Sequence, residues 1–155
     1  MNIFHVDYNP GAAAKMLCDK HVVKMILESA QVLSSAHHMT DSPLSDKLYK
    51  LTHKNHPCSI WVRTSKDNYR WVFEHFSGLL NEYTHRYKKI HKSSTLFSKL
   101  EVVPNISQTE LTEPPQCMYD DCKHPDVVTA YRLYYKAREK EIKMCWTNRE
   151  KPLWL

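Results

Sequence analysis

Glycine is almost absent from this chain, with only two among its 155 residues. The glycine-rich phosphate loops of P-loop and dinucleotide-binding proteins need several glycines close together, so the sequence excludes both kinds of nucleotide site. No apolar run approaches the roughly 18 residues that span a bilayer, and the first residues lack the pattern of a signal peptide. We therefore expect a cytoplasmic protein that does not interact with membranes.

A regular cysteine framework is also missing. The five cysteines are odd in number, which is typical of a reducing cytosol rather than of a disulfide-stapled secreted protein. Neither the paired CxxC and HExxH spacings of zinc sites nor the signature of zinc deaminases occurs. We expect no metal and no cofactor. The nearest approaches to a ligand set are Cys18 with His21, His37 with His38, and Cys117 with Cys122 and His124.

Length and charge indicate one soluble domain with a polyanionic partner. A chain of 155 residues with 42% hydrophobic content can bury one proper core, so we expect a single domain over residues 1–155. Its formal charge is +5, and ten histidines add positive charge in mild acid. This balance suits a nucleic acid or another polyanion.

Helical periodicity dominates the sequence and predicts an all-α fold: a compact helical bundle with three long helices and long irregular connections. Asp19 is a candidate cap for the first long helix and Ser65 for the second. Residues Ile3–Val6 form the best strand candidate but are too short to build a sheet. The predicted segments are a short helix over 10–18, long helices over 20–38, 66–90 and 126–146, short helices near 57–63 and 93–100, and irregular connections over 40–56 and 103–122.

The most informative segment is the first long helix. His21, Lys24, Glu28 and Gln31 lie at offsets of three, seven and ten residues and share one helix face. A His beside a carboxylate and a cation gives a titratable trio suited to proton transfer near neutral pH, whereas a plain surface ion pair is the structural alternative. Lys20 supplies a second amine one turn before Lys24.

Several other polar groups are candidates for binding a substrate or its phosphates. Glu82 and Arg86 are spaced as a helical ion pair, but a buried Arg could hold a phosphate. The basic segment over 52–57, directly before a predicted helix start, could bind an anion, or it could be a simple capped turn. We expect Lys24, Glu28, Arg86 and His56 to converge on one concave surface, with Glu28 partly buried. The remaining candidates of this group are His53, Asn55, His56 and His91.

The C-terminal third interleaves aromatic and basic residues. Aromatic faces stack on unpaired bases while cations neutralise phosphates, so this pattern fits a nucleic-acid surface. Equally, the tyrosines could form one wall of the core with the basic residues on its solvated side. The candidates here are Arg132, Tyr135 and Trp154.

A family resemblance follows from these residues. Asp19-x-His21 with Glu28 seven residues after the His resembles the first helix of the phage pyrimidine-dimer DNA glycosylase/AP lyase family, and the similarity continues through 32–36, 55–57 and 152–154. The family is all-α and uses an N-terminal α-amine to form a Schiff base at the sugar C1′. The resemblance implies a catalytic role for Glu28 with His21 nearby. Where the family has arginines that grip DNA, this chain has Leu27 and Gln31.

The sequence therefore predicts an enzyme that cleaves the N-glycosidic bond of a base in DNA, with AP lyase activity as a second step. Glu28, His21 and Lys24 would carry the chemistry, and Met1, Lys20 or Lys24 would supply an amine. Two alternatives stay open. One is an enzyme acting on a free nucleotide or another small phosphorylated substrate, and the other is a non-catalytic nucleic-acid-binding module.

Overall fold

The computed structural model describes residues 2–155 and shows an all-α fold, as the periodicity predicts. Its helices are α1 (Pro10–Met16), α2 (Asp19–His38), α3 (Pro57–Thr64), α4 (Lys66–Tyr87), α5 (Phe97–Leu100) and α6 (Val127–Glu139). Single 3₁₀ turns lie at Ser45–Lys47, Lys92–Leu96 and Asp120–Cys122. Within these residues no helix is long and apolar enough to cross a membrane.

Helices α2 and α4 pack against each other at the centre of the molecule, α3 packs against both, and α1 packs against α4. The apolar stripe of α4 is buried as expected at Tyr69, Val72, Phe76 and Leu79. Gly78 on α4 permits a close crossing with α1, because a Cβ at this position would lie 2.9 Å from the Ala14 Cβ. Any larger side chain at Gly78 would therefore separate these two helices.

The N-terminal residues run through the core as an extended segment and not as a strand. Ile3, Phe4, His5 and Val6 are all buried, yet no sheet forms in the described residues, where a single bridge joins Ser65 to Gln108. The sequence pattern reflects burial on both sides of this segment. Its side chains pack within the helical core, where Phe4 contacts the rings of His21 and Tyr135 and His5 contacts that of Trp71.

Two predicted helix ends are wrong, and one contact explains both. Cys18 occupies the N-cap of α2, and the carboxylate of Asp19 instead accepts hydrogen bonds from Thr147 at 2.7 to 3.2 Å. The Asp19 amide donates to the Cys145 carbonyl at 2.9 Å. Because residues 145–147 turn back onto the start of α2, α6 ends at Glu139 and does not continue to Trp146.

Candidate active site

A small pocket opens where the chain's first residues meet α2 and α6. Its volume is about 200 Å³. The chain's first residues, the polar face of α2, the loop before α6 and α6 itself all contribute side chains to its lining. The lining residues are Asn2, Phe4, His21, Lys24, Met25, Glu28, Cys117, Tyr134 and Arg138.

Glu28 is the carboxylate of this pocket. Its side chain is 16% exposed, and its Oε1 lies 3.4 Å from Nζ of Lys24, whose side chain is 65% exposed. The helix places the two residues one turn apart on the face opposite to Ile26 and Ala30, which are fully buried. Val23 on the same helix is also exposed. The carboxylate is therefore partly shielded while its cation reaches solvent.

His21 is buried at the inner end of the pocket. Its ring stacks on Phe4 at a centroid distance of 4.5 Å, and its Nδ1 lies 2.9 Å from the Tyr135 hydroxyl. Burial, followed by the charges of Lys24, Arg138 and Lys20, lowers the pKa of His21 from 6.5 to about 4. The expectation of titration near neutral pH is wrong for this group, which is a neutral imidazole at pH 7.

His56 lies next to this pocket, at the start of α3. His56 is the N-cap of α3, and its Nδ1 accepts a hydrogen bond from the Cys58 amide at 3.1 Å. Burial lowers the pKa of His56, and the nearby Glu28 carboxylate acts in the opposite direction. Glu28 and His56 are thus electrostatic neighbours. The other residues of the predicted anion site, His53 and Asn55, are exposed in the turn before α3.

The thiols of Cys58 and Cys117 lie close to His56 and form a cluster with it. Cys58 Sγ lies 3.7 Å from Cys117 Sγ, and the His56 ring joins them so that all three potential ligand atoms lie within 4.8 Å of one another. The hydrogen bond from Cys58 lowers the pKa of Cys117 to about 7, and its partnership with Cys117 raises the pKa of Cys58. Among the described residues, these three are the group of His, Cys, Asp and Glu side chains suited to holding a metal ion.

Arg86 does not lie at this pocket, contrary to the predicted convergence. Its buried guanidinium donates to Glu82 and Asp19 at 3.1 and 3.0 Å, and to the carbonyls of Leu17 and Lys15, both at 2.9 Å. Arg149 closes the other side of Glu82 at 2.6 Å. The donors of the Arg86 guanidinium are thus bonded to acceptors within the protein. Arg86 and Glu82 therefore form an internal network that joins α1, α2, α4 and the C-terminal segment.

The C-terminal aromatic candidates serve mainly as core. Tyr135 is fully buried, and its hydroxyl accepts the Cys18 amide at 2.7 Å. Trp154 packs edge-on against Tyr135 and under the Arg132 guanidinium, 5.2 Å from its ring centre. Arg132 also donates to the Val6 carbonyl at 2.8 Å. None of these three residues lines the Glu28 pocket.

The remaining candidates lie outside the pocket. Lys20 is exposed on a neighbouring groove shared with Tyr87, and Gln31 is half-buried one turn after Glu28. His91 caps the 3₁₀ turn at Lys92–Leu96 and packs edge-on against Tyr83. Met1 lies outside the described residues.

Sequence reasoning did not select six residues that line the pocket, among them Met25 on α2. Asn2, Phe4 and Cys117 come from segments without helical periodicity, so no periodic pattern placed them beside Glu28. Tyr134 and Arg138 belong to the C-terminal third that interleaves aromatic and basic residues, and their spacing of four residues places both on one helix face. That spacing was the available signal.

Comparison with known proteins gives the family. The family model described as pyrimidine dimer DNA glycosylase matches residues 1–95, which is more than half of the chain. The chain belongs to this family. Membership gives it a DNA glycosylase-type function, with DNA as its substrate or partner. Comparisons with curated proteins and with solved structures returned no match. The matched segment contains Glu28, His21 and Lys24, whereas Cys117, Tyr134 and Arg138 lie beyond it.

Proposed function

We propose that this member of the pyrimidine dimer DNA glycosylase family cleaves the N-glycosidic bond of a base in DNA, with Glu28 as its catalytic carboxylate. The partly buried position of Glu28 in a pocket rimmed by cations is the observation that carries this proposal. A carboxylate shielded from water interacts more strongly with a developing positive charge than one in bulk solvent does.

The chemical step needs that charge stabilisation. When the C1′–N bond breaks, its electron pair leaves with the base and positive charge develops on the sugar ring. The Glu28 carboxylate stabilises this charge. A water or an amine then bonds to C1′ and gives up a proton, and the departing base takes up a proton in turn. Carboxylates perform the corresponding task in glycoside hydrolysis.

His21 acts here as a neutral positioning group and not as an acid. Its low pKa keeps it uncharged at pH 7, and it lines the pocket beside Glu28. We assign the Tyr135 hydroxyl as the donor and His21 Nδ1 as the acceptor of the hydrogen bond between them. The hydrogen of the neutral imidazole is then on Nε2. Nε2–H is then a fixed donor for an oxygen of the base or sugar.

The size of the pocket fits one extruded unit of DNA. Its volume of about 200 Å³ is below the roughly 300 to 1,000 Å³ of typical small-molecule pockets, so it accommodates a sugar or a single base. Extruding a base costs a few kcal/mol, which stacking on an aromatic side chain such as Tyr134 offsets. Lys20, Lys24 and Arg138 supply positive charge for the flanking phosphates.

The proposal includes an AP lyase step. An amine adds to the C1′ aldehyde of an abasic site and loses water to form an imine. β-Elimination then transfers a proton from C2′ to a base or to water, forms the C2′=C3′ double bond and breaks the C3′–O bond, with the phosphate as leaving group. Lys24 is the described amine nearest to Glu28. Borohydride reduction of the imine followed by peptide mapping identifies the amine, be it that of Lys24, Lys20 or Met1.

The decisive experiment compares wild-type protein with E28Q on duplexes carrying a pyrimidine dimer, modified pyrimidines or an abasic site. Base release by E28Q should fall at least about 100-fold, because the amide cannot balance the sugar cation. E74Q, an exposed glutamate on α4, is the matched control and should retain full activity. Base release by E28Q at the wild-type rate would overturn the assignment of Glu28.

A nucleotide-processing enzyme is the second candidate function, because a carboxylate beside the cations Lys24 and Arg138 also suits a small phosphorylated substrate. A salt titration separates it from the first. Affinity for duplex DNA that falls steeply with salt supports a polymer substrate, because phosphate contacts release counterions. Salt-independent turnover of free nucleotides would favour the alternative, and DNA binding with no turnover of any substrate would favour a binding module.

A further inference from the structure

The cluster of His56, Cys58 and Cys117 lies beside the Glu28 pocket and has no place in the glycosylase proposal. Its members come from two distant parts of the chain, 59 residues apart between the two cysteines. Cys58 is buried, while His56 and Cys117 are half-buried. The cluster is therefore held inside the protein with one side toward the pocket, since Cys117 also lines that pocket.

The separation of the two sulfurs fits a tetrahedral metal centre. With Zn–S bonds of about 2.3 Å and a tetrahedral angle, two thiolates on one zinc ion lie about 3.8 Å apart. The observed Sγ–Sγ distance is 3.7 Å. All three ligand atoms lie within 4.8 Å of one another, so one ion can reach each of them after small side-chain rotations.

The backbone around the cluster fixes its geometry. Pro57 begins α3 between His56 and Cys58, and the Cys117 carbonyl accepts a hydrogen bond from the Asn2 amide nitrogen Nδ2 at 2.9 Å. The His56 Nδ1 accepts one backbone amide, that of Cys58, at 3.1 Å. Metal binding uses Nε2 or replaces this one hydrogen bond.

We propose that His56, Cys58 and Cys117 bind one Zn²⁺ ion. Two thiolates and an imidazole are ligands that zinc prefers, whereas magnesium and calcium prefer oxygen ligands. Binding displaces the thiol protons into solvent. Three protein ligands leave the fourth position for a water or a substrate atom, which is the arrangement of catalytic rather than structural zinc sites. This proposal is independent of the role assigned to Glu28.

The test measures metal in protein purified under reducing conditions with zinc in the growth medium. We expect one zinc per chain by elemental mass spectrometry. After chelation, a Co²⁺ titration should give thiolate-to-cobalt charge-transfer absorption and the strong visible bands of tetrahedral cobalt. C117S and C58S should weaken metal affinity at least about tenfold, since loss of even a supporting residue costs 10- to 100-fold.

C145S is the matched control, because Cys145 is an exposed free cysteine outside the cluster, and its metal content should equal that of the wild type. C117S alters a half-buried residue, so it keeps the test valid if C58S fails to fold. Reduced wild-type protein without metal, or a cobalt spectrum unchanged by C117S, would overturn the proposal. So would a native Cys58–Cys117 disulfide in protein that takes up no metal after reduction. The assay contains no DNA, and its failure leaves the glycosylase proposal intact.

Discussion

Glu28 and Glu82 each pair with a cation one helical turn away, and the structure uses these two glutamates in opposite ways. On α2, Glu28 lines a pocket and pairs with the exposed Lys24. On α4, Glu82 is buried between Arg86 and Arg149. Both pairs have the same i,i+4 spacing in sequence, so spacing does not separate a functional carboxylate from a structural one.

The number of internal partners makes that distinction. Glu82 accepts hydrogen bonds from two guanidinium groups, and its carboxylate therefore has little capacity left for a ligand. Burial alone raises the pKa of Glu82, but its bonds and charge contacts with Arg149 and Arg86 outweigh this and leave the pKa below 4.5. Glu28 keeps an open side toward the pocket. Catalytic carboxylates need such unused acceptor capacity, whereas structural ones do not.

The largest stability effect is predicted at Glu82. E82A leaves the buried Arg86 with Asp19 as its remaining carboxylate and removes the ion-pair partner of Arg149, so the free energy of unfolding should fall by about 3 kcal/mol or more. E74A, an exposed change on the same helix, should cost no more than about 0.5 kcal/mol. Urea denaturation measures both. Equal losses of unfolding free energy for E82A and E74A would show that the internal network contributes nothing to stability.

A second prediction separates the two regions by pH. Because the pKa of His21 is lowered, the unfolded chain binds more protons than the folded chain between pH 6.5 and about 4. The free energy of unfolding therefore decreases as the pH falls through that window. The contribution of Glu82 is lost only below pH 4.5, where its carboxylate protonates.

Thermal unfolding from pH 7 to pH 3 measures both windows. H21Q should flatten the curve between pH 6.5 and 4.5 relative to the wild type, and E82Q should flatten it below pH 4.5. The buried His5 and His75, whose pKa values are also lowered by burial, remain in both variants and cancel in this comparison. An H21Q curve parallel to that of the wild type would contradict the lowered pKa of His21.

The sequence predicted the helices well because their periodicity and caps are local. Ser65 caps α4 and Asp126 caps α6, each through a bond to an amide three residues later. Helix ends set by distant contacts were not predictable. Thr147 takes the carboxylate of Asp19, and that contact spans 128 residues.

In the candidate site too, residues placed by local periodicity were predictable and residues placed by distant contacts were not. Lys24 and Glu28 share a helix face, which periodicity reveals, whereas Cys117 reaches the pocket only through the irregular loop over 103–122. That loop is fixed to α4 by hydrogen bonds between Asn68 and Thr112 at 2.8 and 2.9 Å. Arg86 shows the converse error, because sequence gives its charge but not its burial.

A smaller effect is predicted at Tyr135, which supports the Glu28 side of the comparison. Y135F removes the hydroxyl that contacts His21 and the Cys18 amide, and it should cost about 1 to 2 kcal/mol of stability. Base release should fall about tenfold, because the His21 ring loses its fixed orientation.

Y69F is its matched control. Tyr69 makes the same kind of bond with a buried His, contacting His37 Nε2 at 2.9 Å, but it lies outside the pocket. It should show a similar loss of stability by thermal denaturation with no loss of activity. Equal activities for Y135F and Y69F would remove His21 from the proposed machinery.

The smallest effect is predicted for the Lys24–Glu28 ion pair itself. Its cation is largely exposed and its Nζ–Oε1 distance is 3.4 Å, so K24Q should change the free energy of unfolding by no more than about 0.5 kcal/mol in urea titrations. Its effect should appear instead in DNA binding, where loss of one phosphate contact lowers the slope of log affinity against log salt by about 0.9. Fluorescence anisotropy at several salt concentrations measures this slope, with K66Q on α4 as the control. A destabilisation of K24Q close to that of E82A would mean that both glutamates are structural, because the pair on α2 would then stabilise the fold as the buried network does.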